Sequence, residues 1–201
     1  MVSGITKDAM IEIINFILKS IDSIDDSSKE NMINLLTSAR KENRRVFVIG
    51  AGRSGLIAKA FAMRLLHLGF NVYVIGETIL PRASPGDILI AISGSGRTKL
   101  VVAAAEAARG ALMKVLAITS YPDSPLGRLA DLVVKIPGRT KMAVEEDYIS
   151  RQILGIHEPL APLGTLFEDT TLIFLDGVIV ELMNRLGITE EELLNRHANI
   201  E

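Results

Sequence analysis

The sequence predicts an α/β protein, namely a three-layer α/β/α sandwich with a five-stranded parallel sheet, preceded by N-terminal helices. Two observations support this prediction. Five short runs are apolar at almost every position, as expected for parallel strands that are covered on both faces. Helical patterns separate most of these runs, as the crossovers between parallel strands require. The five runs are residues 46–49, 72–75, 88–92, 115–118 and 132–136.

Helices are predicted from apolar residues at helical spacing and from cap signals. They cover residues 5–24, 27–40, 56–68, 98–109, 165–186 and 189–195. Ser27 with Glu30, and Thr189 with Glu192, form capping-box patterns at the starts of two of them. Two helices that precede any strand must bury their apolar faces. We expect them to lie partly on the sheet and partly against another subunit.

The 201 residues suffice for one well-buried domain, so we expect a single domain over 1–201. A segment in its second half is long for a plain connection, which favours a functional loop or lid. The expected parts are N-terminal helices over 1–43, an α/β core over 44–137, a loop or lid over 138–164 and C-terminal helices over 165–201.

Composition excludes several classes of function. The net charge of −2 gives no general attraction for nucleic acids or anionic membranes. The absence of cysteine excludes disulfides, thiolate metal sites and cysteine nucleophiles. His157 and Glu158 form a single adjacent pair, so we expect no metal site. No signal peptide or membrane span is visible, since Asp176 and Glu181 interrupt the most apolar late stretch, and we expect a cytoplasmic protein.

Two glycine-rich loops follow predicted strands, at the edge where parallel sheets bind ligands. The first, G-A-G-R-S-G over 50–55, matches a dinucleotide-binding pattern, and Glu77 stands where a ribose-binding acid is expected. The second, S-G-S-G-R-T over 93–98, places three hydroxyls at the start of a helix. Hydroxyls, glycine-freed amides and the helix dipole together favour a phosphate dianion over a merely flexible turn. Since a dinucleotide would not need this second cradle, we favour another phosphate-bearing ligand.

These motifs resemble the sugar isomerase (SIS) family of phosphosugar-binding domains. The resemblance rests on both glycine-rich loops and the serines near Ser120, and it covers about residues 30–200. The stretch P-L-G-T-L-F-E-D over 162–169 and the ending R-H-A-N over 196–199 are similar to members that interconvert D-arabino-3-hexulose 6-phosphate and D-fructose 6-phosphate. The resemblance implies an isomerase of the ribulose monophosphate pathway that requires no metal and no organic cofactor.

The resemblance also implies which residues bind the sugar phosphate. The hydroxyls of the second loop would hold the phosphate, and Ser54 would contact the substrate from the first loop with Arg53 nearby. Arg97 departs from the family pattern, because several relatives carry an acid at this loop position. Any role of that acid must lie elsewhere in this chain. The implied substrate-binding residues are Arg53, Ser54, Ser93, Gly94, Ser95, Gly96, Arg97, Thr98 and Ser120.

Two residues are candidate catalysts. Glu168 resembles the family's catalytic glutamate by position and would act as the base, with Asp169 as the fallback. Spacing alone favours Glu168 as the capping-box partner of Thr165, where the helix dipole would lower its basicity. His197 resembles a terminal histidine of related arabinose 5-phosphate isomerases, which reaches a neighbour's site, and it could shuttle protons.

Several alternatives remain open. His67 is expected to cap the end of its helix, and His157 has no assigned role. The chain could be a non-catalytic phosphosugar sensor, or a related isomerase acting on arabinose 5-phosphate or sedoheptulose 7-phosphate. The glycine pattern keeps a nucleotide oxidoreductase as a third alternative. The apolar N-terminal helices and a histidine acting in trans both favour a homo-oligomer, a dimer or a homotetramer, with shared active sites.

Overall fold

The computed structural model describes residues 4–138, 160–197 and 199. His157 and the central part of the expected lid lie outside the described residues. Within the described ranges the chain forms seven helices and five strands. They are α1 (Gly4–Ile21), α2 (Asp26–Lys41), β1 (Arg45–Gly50), α3 (Arg53–His67), β2 (Asn71–Val74), β3 (Ile88–Ile92), α4 (Lys99–Gly110), β4 (Lys114–Thr119), α5 (Pro125–Leu129), β5 (Leu132–Lys135), α6 (Thr165–Leu186) and α7 (Glu190–Asn195).

The five strands form one parallel sheet in the order β2-β1-β3-β4-β5. This confirms the predicted fold class. Strands β1 and β3 are neighbours, with Val46 beside Ile88 and Gly50 beside Ile92. From β1 the chain passes to β2 on one side, and from β3 it passes to β4 on the other. The strand order therefore reverses between β1 and β3, which is the place where open α/β sheets form a crevice for ligands.

Both faces of the sheet are covered by helices. In β3, Ile88, Ile90 and Ile92 belong to the core shared with α2, α3 and α6, whereas Leu89 and Ala91 belong to the core shared with α4 and α5. All five residues are fully buried. Burial on both faces explains why the strand is apolar at every position, and it gives the predicted three layers.

The two N-terminal helices have different partners. Helix α2 packs on β5 and α6, while α1 packs mainly against α6. The outward side of α1 exposes more than half of Ile14, Leu18 and Ile21. The expectation that these helices lie partly on the sheet therefore holds for α2. None of the helices described is long and apolar enough to cross a membrane.

The helix caps agree only in part with the sequence prediction. The capping box of α7 is confirmed, because the Thr189 hydroxyl accepts from the Glu192 amide and the Glu192 carboxylate accepts from the Thr189 amide. The box predicted at Ser27 is wrong. Helix α2 is capped by Asp25, whose carboxylate accepts from the Ser28 amide at 2.6 Å. Its expected partner Glu30 instead forms an ion pair with an arginine of α6.

Candidate active site

A cleft of about 260 Å³ opens at the carboxyl ends of β1 and β3. Three segments form it: the loop after β1, the loop after β3 and the start of α6. Two of the sides thus come from the two glycine-rich loops that the sequence singles out. The cleft is lined by Ala51, Ser54, Gly94, Ser95, Thr98, Leu163, Gly164, Phe167 and Glu168.

The first glycine loop packs tightly between β1 and α3. A Cβ atom on Gly50 would lie 2.5 Å from the Ser54 carbonyl oxygen, and one on Gly55 would lie 3.0 Å from the Gly50 carbonyl oxygen. The glycines thus allow the first turn of α3 to sit against the strand end and hold Ser54 in the cleft. Glu77, the acid of the dinucleotide pattern, forms an ion pair with Lys59 at 2.6 Å. Helix–strand packing accounts for the motif without a dinucleotide.

The hydroxyls of the second loop form a connected group. Ser93 is buried, and its Oγ lies 3.0 Å from the Thr98 Oγ1, within hydrogen-bond distance. The Ser95 hydroxyl accepts a hydrogen bond from the Arg97 amide at 3.3 Å. Thr98 is the N-cap residue of α4, so the hydroxyls and the first amides of that helix lie together. The first amides of a helix have no partner within the helix, which suits them to an anion.

The loop after β4 braces the hydroxyl loop from behind. The Gly94 carbonyl accepts from the Ser120 amide at 3.1 Å and from the Thr119 hydroxyl at 3.2 Å. The Gly96 carbonyl accepts from the Leu126 amide at 3.0 Å. These bonds tie the carbonyl groups of Gly94 and Gly96 to the β4 side of the molecule. The hydroxyl loop is thereby a rigid element and not a flexible turn.

Glu168 faces the hydroxyl loop across the cleft and forms an ion pair with Arg53. The Glu168 Oε2 lies 2.6 Å from the Arg53 Nε as an ion pair, although the two groups are not aligned for a hydrogen bond. A second nitrogen of Arg53 lies 3.0 Å from the Asp169 Oδ1. One arginine at the start of α3 therefore binds both acids at the start of α6.

The capping-box explanation of Glu168 is wrong. The N-cap residue of α6 is Gly164, in a left-handed conformation, and it makes no side-chain cap bond. Thr165 lies inside the helix and is buried. The carboxylate of Glu168 is thus directed to Arg53 and the cleft, with 14% of its side chain exposed.

Burial raises the pKa of Glu168 above its usual value. The Asp169 carboxylate raises it further, while the positive charge of Arg53 acts against both. The sequence led us to expect that the helix dipole would lower the basicity of this residue. In the folded chain the pKa of Glu168 is instead raised, with desolvation as the largest cause, and a carboxylate with a raised pKa is a stronger base.

Not every predicted substrate-binding residue reaches the cleft. Ser120 donates its hydroxyl hydrogen to the Ile136 carbonyl at 2.8 Å and contacts the site only through Gly94. Arg97 lines a separate groove with Glu106 and Asp123. Their assigned roles stay predictions. Ser54, Gly94, Ser95, Thr98 and Glu168 do line the cleft, with Ser93, Gly96 and Arg53 beside it.

His197 lies far from the cleft of its own chain. Its ring stacks at a tilt on His67, with the ring centroids 4.8 Å apart. His67 ends α3, whose 15 residues begin at the cleft, so the histidine pair lies about 20 Å away. The expectation that His67 caps α3 is wrong, because the C-cap residue is Leu68 and the His67 ring is buried.

Sequence reasoning missed several walls of the cleft, among them Ala51, Leu163 and Phe167. The last two lie within the P-L-G-T-L-F-E-D stretch that drew attention to Glu168, and this position was the available signal. In the described residues no group of three or more metal-binding side chains is assembled.

Comparison with known proteins identifies the class of protein that this fold and cleft define. The SIS domain matches residues 40–146. The chain belongs to the SIS domain family. A protein of Aeropyrum pernix, described as uncharacterized, is 62% identical over 96% of this chain and 91% of its own length.

Two further relatives carry a more particular description. The 3-hexulose-6-phosphate isomerase of Bacillus subtilis is 37% identical over 98% of this chain and 99% of its own length. A crystal structure of a Methanococcus jannaschii protein has 34% identity and a TM-score of 0.74, and covers 98% of each chain. That structure was described as inferring the function of a 3-hexulose-6-phosphate isomerase.

We predict that Gly96→Ala disrupts the hydroxyl loop. Gly96 has a φ of +62°, and a Cβ atom there would lie 1.9 Å from the Ser124 Oγ. The substitution should cost about 1 to 3 kcal/mol in unfolding free energy and weaken sugar-phosphate binding. Gly110→Ala is the matched control, because nothing lies within 4 Å of its Cβ position at the end of α4.

Urea unfolding and calorimetric titration with fructose 6-phosphate measure both effects. We expect Gly110→Ala to bind like the unmodified protein. Equal behaviour of the two variants would contradict the braced loop.

Proposed function

We propose that this protein interconverts D-arabino-3-hexulose 6-phosphate and D-fructose 6-phosphate by proton transfer through an enediol. Relatives that match almost the whole chain are named isomerases of this kind, and they make the chain a sugar-phosphate isomerase. One observation about the cleft supports the proposal. Glu168, a largely buried carboxylate with a raised pKa, lines the same small cleft as Ser95 and Thr98.

The phosphate would bind at the hydroxyl loop. Ser95 and Thr98 line the cleft directly, and the hydroxyl of buried Ser93 lies within hydrogen-bond distance of the Thr98 hydroxyl. The N-termini of α3 and α4 both begin at the cleft, so two helix dipoles favour a dianion there. Anchoring of the phosphate would place the carbon chain of the sugar along the cleft toward α6.

Glu168 would then move the carbon-bound proton. From fructose 6-phosphate it removes the proton on C3 while the C2 carbonyl oxygen gains a proton, which yields a 2,3-enediol. The O3 hydroxyl next loses its proton, and C2 gains one, which yields the 3-ketose. Arg53 lies 2.6 Å from Glu168 and would stabilise negative charge on the enediol oxygens.

His197 would act from a neighbouring chain. The pair that it forms with His67 lies about 20 Å from the cleft of its own chain, which favours action in trans. Fructose 6-phosphate forms a five-membered ring through O5, whereas the 3-ketose could close such a ring only through O6, which carries the phosphate. We infer that His197 assists ring opening from the fructose side or moves the hydroxyl proton.

A homo-oligomer, as a dimer or a tetramer, supports this arrangement. Large apolar side chains are exposed on α1, α3 and α6 of a single chain, and exposed apolar surface of this kind favours an interface. The exposed side chains are Ile14, Leu18 and Ile21 of α1, Leu56, Met63 and Leu66 of α3, and Ile173 and Val180 of α6. The substrate pair would place the enzyme in the ribulose monophosphate pathway. We infer a cytoplasmic location, because charged sugar phosphates do not cross membranes unaided.

Isotope exchange tests the isomerase and its base together. Fructose 6-phosphate is incubated with the protein in deuterated water without added metal and followed by NMR. We expect formation of the 3-ketose and deuterium at C3. Glu168→Gln should reduce both at least 10²-fold, since general bases contribute roughly 10²- to 10⁴-fold.

Glu42→Gln is the control for this experiment, because Glu42 forms a surface ion pair with Arg44 away from the cleft. Full activity of Glu168→Gln would exclude Glu168 as the base. If the unmodified protein neither exchanges nor turns over, yet fructose 6-phosphate raises its melting temperature, the phosphosugar sensor becomes the function to pursue.

The pH dependence tests the charges around Glu168. A base must be ionised, so kcat/KM should be lost as the pH falls through a pKa above the usual value for glutamate. Asp169→Asn removes a negative charge next to Glu168. Glu168 then becomes the only carboxylate among the described residues that pairs with Arg53. Both changes lower the pKa of Glu168, so the acid limb of the profile should move to lower pH.

Asp176→Asn is the matched control, since Asp176 is an exposed aspartate farther along α6. We expect its profile to overlay that of the unmodified enzyme. A shift to higher pH in Asp169→Asn would refute this account of the electrostatics.

Mixing of variants tests whether sites are shared. Glu168→Gln and His197→Gln are each expected to be impaired. If His197 acts in trans within a pair of chains, each mixed pair regains one complete site. Random exchange of subunits should then restore about a quarter of the unmodified activity. No recovery in mixtures whose mixed oligomers are confirmed by mass spectrometry would exclude action in trans.

A further inference from the structure

Five cationic or titratable side chains converge at the end of α3 that lies away from the cleft. They come from three separate parts of the chain: Arg40 from α2, Arg64 and His67 from α3, and Arg196 and His197 from the segment after α7. The two histidine rings are in contact, and the charge of Arg64 acts on His67. The proposed reaction uses only His197 of this group.

The two outer arginines meet over Gly69. Arg40 donates from its Nε to the Leu68 carbonyl at 3.2 Å, and Arg196 donates from its Nη1 to the His67 carbonyl at 3.3 Å. A Cβ atom on Gly69 would lie 2.8 Å from the Arg40 Nη2 and 3.2 Å from the Arg196 Nη1. The remaining nitrogens of two oriented guanidinium groups thus border one small surface, which is open only because residue 69 is glycine.

The positive charge at this position has no acidic partner in the part of the chain that is described. Arg53 and Arg185 each pair with two carboxylates, whereas no described carboxylate lies within 4 Å of Arg40 or Arg196. The C-terminus of a helix supplies only about half a negative charge, too little to balance two arginines.

His67 adds a buried polar group to the cluster. It is 4% exposed, and its Nδ1 has no hydrogen-bond partner among the described residues. A buried polar atom without a partner is unfavourable unless a ligand or solvent satisfies it. Burial lowers the pKa of His67, and the charges of His197 and Arg64 lower it further.

We propose that this cluster is an anion site that binds a phosphate group, inorganic or esterified, between Arg40 and Arg196. Guanidinium groups match phosphate oxygens through paired N–H donors. A dianion would balance the arginines and favour protonation of the adjacent histidines. Within one chain the site is separate from the catalytic cleft, because the length of α3 lies between the two.

Histidine NMR of the full chain tests the site directly. The ring signals of His67 and His197 are assigned with His67→Gln and His197→Gln, and inorganic phosphate is titrated against sodium chloride of equal ionic strength. We expect phosphate alone to shift both rings and to raise the pKa of at least one by about half a unit. Glycerol 3-phosphate is the second probe, and a response to it alone would identify an ester as the ligand.

Variants separate this site from the cleft. Arg196→Gln and the double variant Arg40→Gln with Arg196→Gln should weaken the phosphate response at least tenfold, and urea unfolding verifies that both are folded. Ser95→Ala with Thr98→Val alters the cleft and should leave the response intact. The proposal is overturned if neither probe shifts the rings beyond the chloride control, if the shift survives in the double variant, or if it is lost in the cleft variant.

Discussion

The parallel pairing of β1 with β3 is the constraint on which the rest of the site depends. Because the chain leaves these neighbouring strands in opposite directions, α3 and α4 begin side by side and then diverge to opposite faces of the sheet. Their N-termini therefore converge on one crevice as a direct result of the strand order. Gly50 allows α3 to begin against the strand, and the β4 loop holds Gly96 in place. The crevice proposed to bind the phosphate is therefore a product of strand order and glycine packing.

The start of α6 adds a carboxylate to that crevice. Glu168 is buried enough to raise its pKa, yet Arg53 lies close enough to keep the carboxylate partly stabilised. Burial alone would favour a neutral acid, and pairing alone would give a weak base. Asp169 also pairs with Arg53, and its negative charge opposes the lowering of the Glu168 pKa by Arg53. In the proposed mechanism these opposing effects would leave Glu168 ionisable and more basic than an ordinary glutamate.

Most of the fold could be predicted from the sequence, whereas only part of the site could. The strands are apolar on both faces, so their number and their parallel direction could be predicted from the local pattern. The hydroxyl loop was predictable because all its groups lie within residues 93–98. The Arg53–Glu168 pair joins residues far apart in the chain, and no local pattern encodes it. The cap predicted at Thr165 failed for a related reason, since Gly164 adopts a left-handed conformation that leaves Glu168 for the cleft.

The two ends of α3 give this helix a double role. Its first turn carries Arg53 and Ser54 into the cleft, and its last residue, His67, supports His197 about 20 Å away. The role proposed for His197 would therefore need the cleft of another chain. The apolar faces of α1, α3 and α6 supply a surface on which another chain can dock. In the proposed mechanism, catalysis by His197 would require association of the chains, because His197 and the cleft of the same chain lie about 20 Å apart.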